Sequence, residues 1–551
     1  MGGTSRRLAG IGCVAALSLT ASAGAAQTKD VPHLAAHGTT RQLIVDGKPF
    51  LALAGELSNS SASSLDYLNA QWPTLTKAGL NTVVAPVEWD QLEPKPGTFD
   101  FKMVDGLLQQ ARSHQMRLVL LWFGAWKNSM STYVPPFVKH DYQTYSKAQD
   151  EKGRAQDILS PFDANNLEAD KRAFVALMDH LRATDTDRTV LMVQVENEIG
   201  MLPVVRDYGP LAQAAFAGPV PKALIDYLGA HRDSLNPYVK TLWEAHGLKQ
   251  AGTWAEVFGD SIEAQEVFQA WYFAVFADRL AAAGKAAYPL PMYVNVALNR
   301  PGSPPGRYPS AGPLPHLFDI WKAAAPSLDM LSIDCYFPNF VEWADKFKRP
   351  DNPFFTPETN QAGKPDSPAN AFYAFGQLDS ISYSPFAIDH LTAENGKTLT
   401  AAYSIFKSLS ADILDAQGTG RIRGFRSKMA LDGSVDESPQ SFVLGKYRFT
   451  VTYVDPWTPK DKQTMAAHGG LIIQKGENDF IVAGSGIVLT FEDADPANMA
   501  VGIEKIVEKQ YVDGDWKDGR WLNGDESHQG RHLRIGDDSF GIQMLTLYKY
   551  K

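Results

Sequence analysis

Two glutamates, Glu198 and Glu358, each lie at the end of a short apolar run that is typical of a buried parallel strand. Barrel enzymes expose their catalytic side chains at the C-terminal ends of such strands. Cleavage of a glycosidic bond needs two carboxyl groups at one rim, because one donates a proton while the other stabilises or attacks the sugar cation. The pair therefore predicts an enzyme that cleaves sugars.

The elements that must position this pair alternate along residues 41–416, where apolar runs are separated by amphipathic helical runs. The predicted strands are residues 50–54, 82–87, 117–123, 190–195, 292–296, 330–334, 353–356 and 381–386. Eight alternations of strand and helix indicate an α/β fold, a (β/α)8 TIM barrel.

The connection after the fourth predicted strand is long, at residues 200–284, and has its own helical segments and aromatic residues. Long connections of this kind usually build the substrate cleft. After residues 417–420 the pattern changes to alternation of apolar and polar residues, with Gly-Asp and Asn-Gly turns. The sequence therefore predicts a catalytic barrel over residues 27–416 and a C-terminal β-sandwich over residues 421–551.

Residues 1–26 have the pattern of a secretory signal peptide: two arginines, an apolar stretch and then small residues. Cleavage is expected after Ala25 or Ala26, which predicts a periplasmic or secreted protein. The mature chain would retain one cysteine, Cys335, so we expect neither an internal disulfide nor a zinc site built from cysteines. No later run of about 18 apolar residues appears, so no membrane span is predicted.

The composition favours a neutral ligand. Of 551 residues, 52 are basic and 62 acidic, and removal of Arg6 and Arg7 with the signal peptide leaves 50 basic residues and a formal charge of −12. Nucleic acid is not expected as a partner, because phosphate binding needs clustered basic residues. The histidines form neither an HExxH motif nor close ligand pairs, so no metal and no cofactor is predicted. An oligosaccharide is the expected substrate.

Four stretches carry a resemblance to a known family: WDQLEP at residues 89–94, GTFDF at 97–101, VENEIG at 195–200 and PE at 357–358. Together they resemble glycoside hydrolase family 35, the β-galactosidases of clan A, over roughly residues 41–390. The resemblance implies that Glu198 is the acid/base and Glu358 the nucleophile of a retaining mechanism. It also implies that Asn197 contacts the sugar hydroxyl beside the reacting carbon and that the hydroxyl of Tyr336 lies near Glu358.

The chain departs from the family pattern in two places. Family 35 enzymes usually have Ala-Glu-Trp after the third strand, whereas this chain has Ala125 where the sugar-binding glutamate would be. The segment after the first strand also differs. These departures suggest a distinct bacterial branch of the family, similar to exported β-galactosidases that trim xyloglucan side chains. Recognition of sugar hydroxyls is therefore predicted to involve the polar residues at the ends of the first three strands, and an aromatic ring there is predicted to stack on sugar. The residues concerned are Glu56, Glu88, Asn128 and Trp126.

Three hypotheses follow. The first is a retaining exo-β-galactosidase that acts on oligosaccharides. The second is a β-glycosidase of other specificity, either a β-glucosidase or an α-L-arabinopyranosidase, because pocket polarity sets the sugar. The third is a carbohydrate-binding barrel without activity, against which both glutamates, Asn197 and Tyr336 count. Glu196 is predicted to form a structural salt bridge, since strand alternation turns it away from Asn197.

Overall fold

Eight parallel strands close into a barrel in the computed structural model, which describes residues 1–3, 30–495, 499–537 and 539–551. The predicted signal peptide lies outside the described residues, apart from its first three. The barrel strands are Ala52–Glu56, Thr82–Glu88, Arg117–Phe123, Val190–Val195, Met292–Val294, Met330–Leu331 with Asp334–Cys335, Thr356–Gln361 and Ser382–Phe386. The eighth strand pairs in parallel with the first, which closes the ring. The predicted TIM barrel is confirmed.

The sixth strand is broken into two pieces. Met330–Leu331 pairs with the fifth strand, whereas Asp334–Cys335 pairs with the seventh. An isolated parallel bridge joins Ala297, beyond the fifth strand, to Asp334. The break turns Asp334 towards the end of the barrel where the site residues lie, so it affects the site as well as the fold.

The outer layer of the barrel consists of helices that follow the strands. Its main helices are Trp72–Lys77, Lys102–Ser113, Ala164–Thr184, Ile262–Ala287, Phe318–Ala324, Phe340–Phe347, Ser367–Gln377 and Lys397–Ala416. Shorter helices are Leu65–Asn69, Trp89–Leu92 and Pro136–His140, and a small hairpin is formed by Lys147–Gln149 and Ala155–Leu159. No helix among the described residues has the length and apolar character needed to span a bilayer.

The interior of the barrel is filled by apolar side chains from alternate positions of the strands. Val84, Leu121 and Tyr293 belong to this cluster, as barrel geometry requires of every second residue. Leu43 and Val45 belong to the same cluster although they come from an N-terminal three-stranded sheet. The strands of that sheet are His33–His37, Thr40–Val45 and Lys48–Pro49. The barrel is therefore a packed core, and its rim is the part available for chemistry.

The long connection after the fourth strand differs from the prediction in one respect. The predicted span of 200–284 includes most of Ile262–Ala287, which is the fourth helix of the barrel layer itself. The added helices are Pro210–Ala217, Lys222–Ala230, Pro237–Ala245 and Trp254–Phe258. Trp243, Trp254 and Trp271 are buried and pack in the main hydrophobic core. These tryptophans hold the insertion to the barrel.

The seventh strand lies later in the chain than predicted. The apolar run at 353–356 predicts a strand that ends before Glu358, but the observed strand is Thr356–Gln361. Five of its six residues are buried although the sequence TPETNQ is mostly polar. Glu358 therefore lies within a strand, where the backbone ladder fixes its position more closely than a loop would.

The C-terminal domain is the predicted β-sandwich. One sheet contains Ile422–Arg426, Gly469–Gln474, Asp479–Ser485, Gly541–Tyr550, Ala500–Val512 and Asp515–Trp521, and the other contains Gln440–Leu444, Tyr447–Thr452, Ile487–Asp493 and Leu533–Ile535. Strand alternation divides the larger sheet between two cores, because Leu471 and Ile473 pack with the barrel whereas Ile472 packs inside the sandwich. The pair Lys428–Met429 and Val435–Asp436 forms a separate small ribbon.

The sandwich contacts the barrel through a glycine pair. A Cβ on Gly376, in helix Ser367–Gln377, would lie 2.7 Å from Cα of Gly424 in strand Ile422–Arg426. A Cβ on Gly424 would lie 2.4 Å from the carbonyl oxygen of Phe372. Only glycine allows helix and strand backbones to approach this closely. The larger sheet is therefore packed directly against the barrel helices.

Candidate active site

Four carboxyl groups meet at the C-terminal rim of the barrel. Glu56 ends the first strand, Asp334 lies in the second piece of the sixth, Glu358 lies in the seventh, and Glu198 follows the fourth by three residues. One carboxylate oxygen from each of Glu198, Asp334 and Glu358 lies within 4.8 Å of the other two. These residues are distant in sequence, so closure of the barrel is what brings them together.

The backbone around Glu198 is held in an uncommon conformation. After strand Val190–Val195, both Glu196 and Glu198 have left-handed φ angles, of 62° and 43°. Such angles are costly for residues other than glycine and persist where surrounding contacts fix them. The amide nitrogen of Glu198 donates to Oδ1 of Asn295 over 2.9 Å. This bond fixes the backbone from which the Glu198 carboxyl group extends.

Asn295 connects three strands of the barrel, and the sequence analysis missed it. Its Nδ2 donates to Oδ1 of Asn197 over 3.0 Å and to Oδ2 of Asp334 over 2.6 Å. Together with the bond from Glu198, these contacts link the ends of strands four, five and six. The available signal was an amide side chain within the apolar run predicted as the fifth strand.

Asn197 is almost fully buried, and its amide orientation is fixed. Oδ1 accepts hydrogen bonds from Gln194 over 2.7 Å and from Asn295 over 3.0 Å, while Nδ2 donates to the carbonyl oxygen of Lys127 over 2.8 Å. An amide nitrogen carries two hydrogens. The second hydrogen on Nδ2 is the group that would donate to a sugar hydroxyl, and that contact stays a prediction.

Glu358 is buried and accepts hydrogen bonds from two sides. The hydroxyl of Tyr336 donates to its Oε1, so the hydrogen bond expected between these residues is present. The carboxyl group of Glu56 hydrogen-bonds it as well. The strand partner of Glu358 in the ladder is Asp334, which places the two carboxyl groups side by side. Hydrogen bonds from both sides therefore fix the Glu358 carboxylate beside Asp334.

Glu358 is the carboxyl group of this cluster whose ionised form is supported by the most neighbouring groups. Burial raises the pKa of Glu358, but the charge of Lys127 and the hydrogen bonds from Tyr336 and Glu56 hold that pKa down. The charge of Glu358, in contrast, raises the pKa values of its neighbours Glu56, Glu198 and Asp334. Like charges this close cannot all ionise, so the best-supported carboxylate keeps the charge.

Burial and neighbouring charge raise the pKa values of the other three carboxyl groups by different amounts. Burial and the charge of Glu358 raise the pKa of Glu198 to about 7. Burial and the same charge raise the pKa values of Glu56 and Asp334 well above their usual range. Separation of the pKa values of two nearby carboxyl groups is the property that gives one an acid role and the other a nucleophilic role. Glu198 is the member with a pKa near neutral pH.

Lys127 is a second residue that the sequence analysis missed. Its positive charge lowers the pKa values of Glu56, Glu198 and Glu358. Its Nζ lies 5.2 Å from the centre of the Phe123 ring, and its backbone nitrogen donates to the carbonyl of Ser131 over 2.9 Å. The available signal was a basic residue within the segment that departs from the family 35 pattern.

Trp126 is a correction to the predicted site. The sequence predicts that it stacks on sugar, but the ring is fully buried and packs edge-on against Phe273 and Phe276, with ring centres 5.4 and 4.7 Å away. A ring covered in this way offers no face to a ligand, so Trp126 is a core residue. Trp122 is buried too, and its Nε1 donates to Asp170 over 2.8 Å.

Glu88 and Asn128 lie at the predicted strand ends but have local partners. Gln91 donates to Glu88 over 2.5 Å, and burial together with the charge of Asp90 raises the pKa of Glu88 to about 7. Oδ1 of Asn128 accepts from the backbone nitrogen of Met130 over 2.9 Å, a turn that Asn commonly stabilises. The structure does not join either residue to the four carboxyl groups, so their sugar-binding roles stay predictions.

Glu196 has no basic partner among the described residues, so the predicted salt bridge is wrong. Its Oε2 accepts from the backbone nitrogen of Trp126 over 2.8 Å, and its carboxyl group hydrogen-bonds Asp170. Burial and the charge of Asp170 raise the pKa of Glu196 well above its usual range. A Cβ on Gly124 would lie 2.6 Å from Oε1 of Glu196, so the chain approaches this buried pair at a glycine. The pair joins helix Ala164–Thr184 to the loop of Glu198.

Among the described residues, one group of acidic side chains has oxygens close enough together to hold a cation, and this group lies at the same rim. Its members are Glu198, Asp334 and Glu358. These are hard oxygen ligands of the kind that Mg²⁺ and Ca²⁺ prefer. Two of the three are the predicted catalytic residues, so a cation and a sugar would compete for the same oxygens.

Two family models match parts of the chain. A family described as beta-galactosidase, glycoside hydrolase family 42, matches residues 62–245, which include barrel strands two to four and Glu198. This part of the chain is therefore similar to a family of glycoside hydrolases. A family described as a domain of unknown function, DUF5597, matches residues 399–534. Family 42 is a different family of clan A from family 35, so the family 35 resemblance is not confirmed.

Solved structures of beta-galactosidases are similar to this chain at low identity. That from the psychrophilic Marinomonas ef1 has 13% identity and a TM-score of 0.46 and covers 67% of this chain and 63% of its own. That from Bacillus circulans sp. alkalophilus has 14% identity and a TM-score of 0.45 and covers 66% of this chain and 57% of its own. That from Rahnella sp. R3 has 15% identity and a TM-score of 0.46 and covers 72% of this chain and 59% of its own. The chain thus spans 57% to 63% of the length of these proteins. A comparison with curated proteins found no match.

Proposed function

We propose that this protein is a glycoside hydrolase, a retaining exo-β-galactosidase that releases terminal β-D-galactosyl residues from oligosaccharides. The proposal rests on the distance between the two glutamates: a carboxylate oxygen of Glu198 lies within 4.8 Å of a carboxylate oxygen of Glu358. Retaining enzymes keep the two carboxyl groups about 5 to 5.5 Å apart, whereas inverting enzymes need about 6.5 to 9.5 Å to admit a water molecule. The short separation supports direct attack by one of them on the sugar.

In the first step, the Glu358 carboxylate attacks the anomeric carbon and forms a covalent bond to it. The bond to the leaving oxygen breaks at the same time, and Glu198 donates its proton to that oxygen. In the second step, Glu198, now ionised, takes a proton from water as the water oxygen attacks the anomeric carbon and releases Glu358. A pKa of about 7 suits both roles, because Glu198 must give and take a proton in one cycle.

Neighbouring groups support these roles through their positions. The hydroxyl of Tyr336 fixes the Glu358 carboxylate and stabilises its ionised form. Asn197 adjoins Glu198 and accepts from Asn295, so the orientation of its amide group is fixed beside the proposed acid. Interactions that strengthen as charge develops at the anomeric carbon lower the barrier more than they improve binding.

Galactose is the proposed sugar because both the family description and the resemblance concern β-galactosidases. The side chains of Glu56 and Lys127, which lie beside the reacting pair, are candidates to replace the missing glutamate at Ala125 in recognising hydroxyls. Glucose and α-L-arabinopyranose are the alternative sugars. A source in xyloglucan fragments is proposed from the resemblance to exported family 35 enzymes.

The deciding experiment measures kcat/KM on a panel of 4-nitrophenyl glycosides: β-D-galactoside, β-D-glucoside and α-L-arabinopyranoside. We expect the galactoside to be the best substrate, and proton NMR should show β-galactose as the first product. α-Galactose as the first product would contradict the retaining mechanism, and a preference for another glycoside would assign the alternative sugar. Glu358→Gln provides the inactive control.

We also propose that the protein is exported, on the basis of the signal-like pattern at residues 1–26. Expression of the full chain in a Gram-negative host, followed by cell fractionation, should recover the activity in the periplasm or the medium. N-terminal sequencing of that material should begin at Ala26 or Gln27. Material that keeps Met1 and stays in the cytoplasm would refute the proposal.

A further inference from the structure

A groove of 780 Å³ lies between the β-sandwich and the last helix of the barrel. The barrel contributes residues of helix Lys397–Ala416, including Ser404 and Ser408, and the sandwich contributes the rest of the wall. None of the lining residues belongs to the candidate active site. Binding pockets for small molecules commonly have volumes of about 300 to 1,000 Å³, so the groove is large enough for several sugar rings.

Trp457 is the aromatic residue that stands out in this groove, because 56% of its surface is exposed. The loop that carries it is held in place by Asp455, which accepts from the backbone nitrogen of Trp457 over 3.2 Å and from the hydroxyl of Thr458 over 2.7 Å. Asp455 also binds both Nε and Nη2 of Arg534, each over 2.6 Å. A large apolar ring held in solvent by an ordered loop is a common feature of surfaces that bind a ligand.

The arginines that line the groove are paired with acidic side chains. Arg520 pairs with Glu508 over 2.6 Å and with Glu526 over 3.0 Å. Arg534 pairs with Asp455 in the two-pronged arrangement that satisfies a guanidinium group well. Charges already paired within the protein offer little attraction to an ionic ligand. The groove therefore combines an aromatic surface with polar groups and favours a neutral, hydroxyl-rich molecule.

Gln543 provides a buried hydrogen-bonding group at the same place. It lines the groove although only 5% of its surface is exposed. Its Nε2 donates to the carbonyl oxygen of Arg534 over 2.9 Å, which fixes the amide, but Oε1 accepts no hydrogen bond from any described residue. A buried carbonyl oxygen without a donor is costly, and a ligand hydroxyl would remove that cost.

We propose that this groove is a second binding site that takes a neutral oligosaccharide, with Trp457 stacking on a sugar ring and Gln543 accepting from a hydroxyl. The site is separate from the four carboxyl groups and needs no turnover. It would hold a glycan chain on the enzyme while terminal residues enter the active site elsewhere. The C-terminal domain would then bind substrate as well as brace the barrel.

Isothermal titration calorimetry on the full-length Glu358→Gln variant tests the proposal, since that variant leaves the probe intact. The probes are cellotetraose, β-1,4-galactotetraose and a xyloglucan heptasaccharide. We expect at least one of them to bind at a second site, and Trp457→Ala should weaken that site roughly tenfold or more, as loss of a central aromatic contact does. Gln543→Met, which removes the acceptor and keeps the volume, should weaken it as well.

Trp521→Ala is the matched control, because Trp521 is a tryptophan of the same domain that is 66% exposed and does not line the groove. It should bind as tightly as the parent. Equal binding by the Trp457→Ala and Trp521→Ala variants would overturn the proposal, as would binding of none of the probes. A lower melting temperature in Trp457→Ala with unchanged binding would show a bracing role only. These outcomes do not depend on whether the parent enzyme cleaves galactosides.

Discussion

The carboxyl group of Glu56 hydrogen-bonds the carboxylate of Glu358, and both groups are buried. Two carboxyl groups can share such a bond when one of them keeps its proton. Burial and the charge of Glu358 raise the pKa of Glu56 well above its usual range, so Glu56 is the donor. Its bond lowers the pKa of Glu358. A neutral glutamic acid thus helps the proposed nucleophile to stay ionised.

Replacement of Glu56 should therefore change the acidic side of the pH profile. Glu56→Ala removes the donor, so the pKa of Glu358 rises and kcat/KM should begin to fall at a higher pH than in the parent. Glu56→Gln keeps an N–H donor and no negative charge, so its acidic limb should match the parent. The measurement is kcat/KM for an aryl β-galactoside from pH 4 to 9. If the acidic limb is unchanged but the ratio of kcat/KM for galactoside to kcat/KM for glucoside changes, Glu56 acts in recognising sugar hydroxyls instead.

Lys127 should move both sides of the pH profile in one direction. Its charge lowers the pKa values of Glu198 and Glu358, so Lys127→Met should raise both and shift the acidic and alkaline limbs to higher pH. Lys127→Arg keeps the charge and should leave the limbs near their parent positions. The same pH series measures the effect. A shift of one limb alone would mean that Lys127 acts on a single carboxyl group.

Loss of the proposed acid should depend on the leaving group. Glu198→Ala should lower kcat/KM roughly 10²- to 10⁴-fold for galactosides with poor leaving groups, because a proton donor contributes about that much. A 2,4-dinitrophenyl galactoside needs little protonation and should retain most of its rate for the first step. Azide should restore turnover of the variant and give a β-galactosyl azide, detected by NMR. An α-azide would contradict the assignment of Glu358 as nucleophile.

The cluster of Glu198, Asp334 and Glu358 requires a separate test with a chelator. The proposed chemistry uses a proton and a carboxylate, so treatment with EDTA should leave kcat/KM unchanged. Added Mg²⁺ or Ca²⁺ should not activate the enzyme, since a cation would occupy the oxygens that act on the sugar. Activity lost on chelation and restored by one cation would instead show that the three carboxylates hold a metal.

The barrel could be predicted from sequence because most of its strands are apolar runs of ordinary length. The exceptions are the strands that carry site residues. The seventh, Thr356–Gln361, is mostly polar, and the sixth is interrupted before Asp334. A search for apolar runs places such strands too early or treats them as continuous, because functional side chains replace the apolar residues that make strands visible.

The meeting of Glu198 and Glu358 at one rim could be predicted because each follows an apolar run, and parallel barrel strands end at the same rim. Asn295 and Lys127 could not, since their importance lies in contacts across the closed barrel that no local pattern records. Trp126 shows the opposite error, because an aromatic residue at a strand end can face either the rim or the helices. Sequence analysis alone cannot choose between these orientations.

The last prediction concerns stability and the buried pair of Glu196 and Asp170. Glu196 has a pKa of 4.5 in an unfolded chain and a much higher one in the folded protein. Its contribution to stability is therefore fully present below about pH 4.5 and declines as pH rises towards the folded value, by about 1.4 kcal/mol per pH unit. Glu196→Gln should remove this decline, because an amide can donate to Asp170 and accept from Trp126 without titrating.

Urea unfolding at pH 5, 6, 7 and 8 measures the effect as a free energy of unfolding. The parent should lose stability relative to Glu196→Gln as pH increases, whatever their order at pH 5. Glu244→Gln, at an exposed position, is the control and should keep a constant difference from the parent. A constant difference for Glu196→Gln as well would mean that Glu196 is ionised in the folded protein. In that case Asp170 would be the protonated member, and Asp170→Asn should show the pH-dependent gain instead.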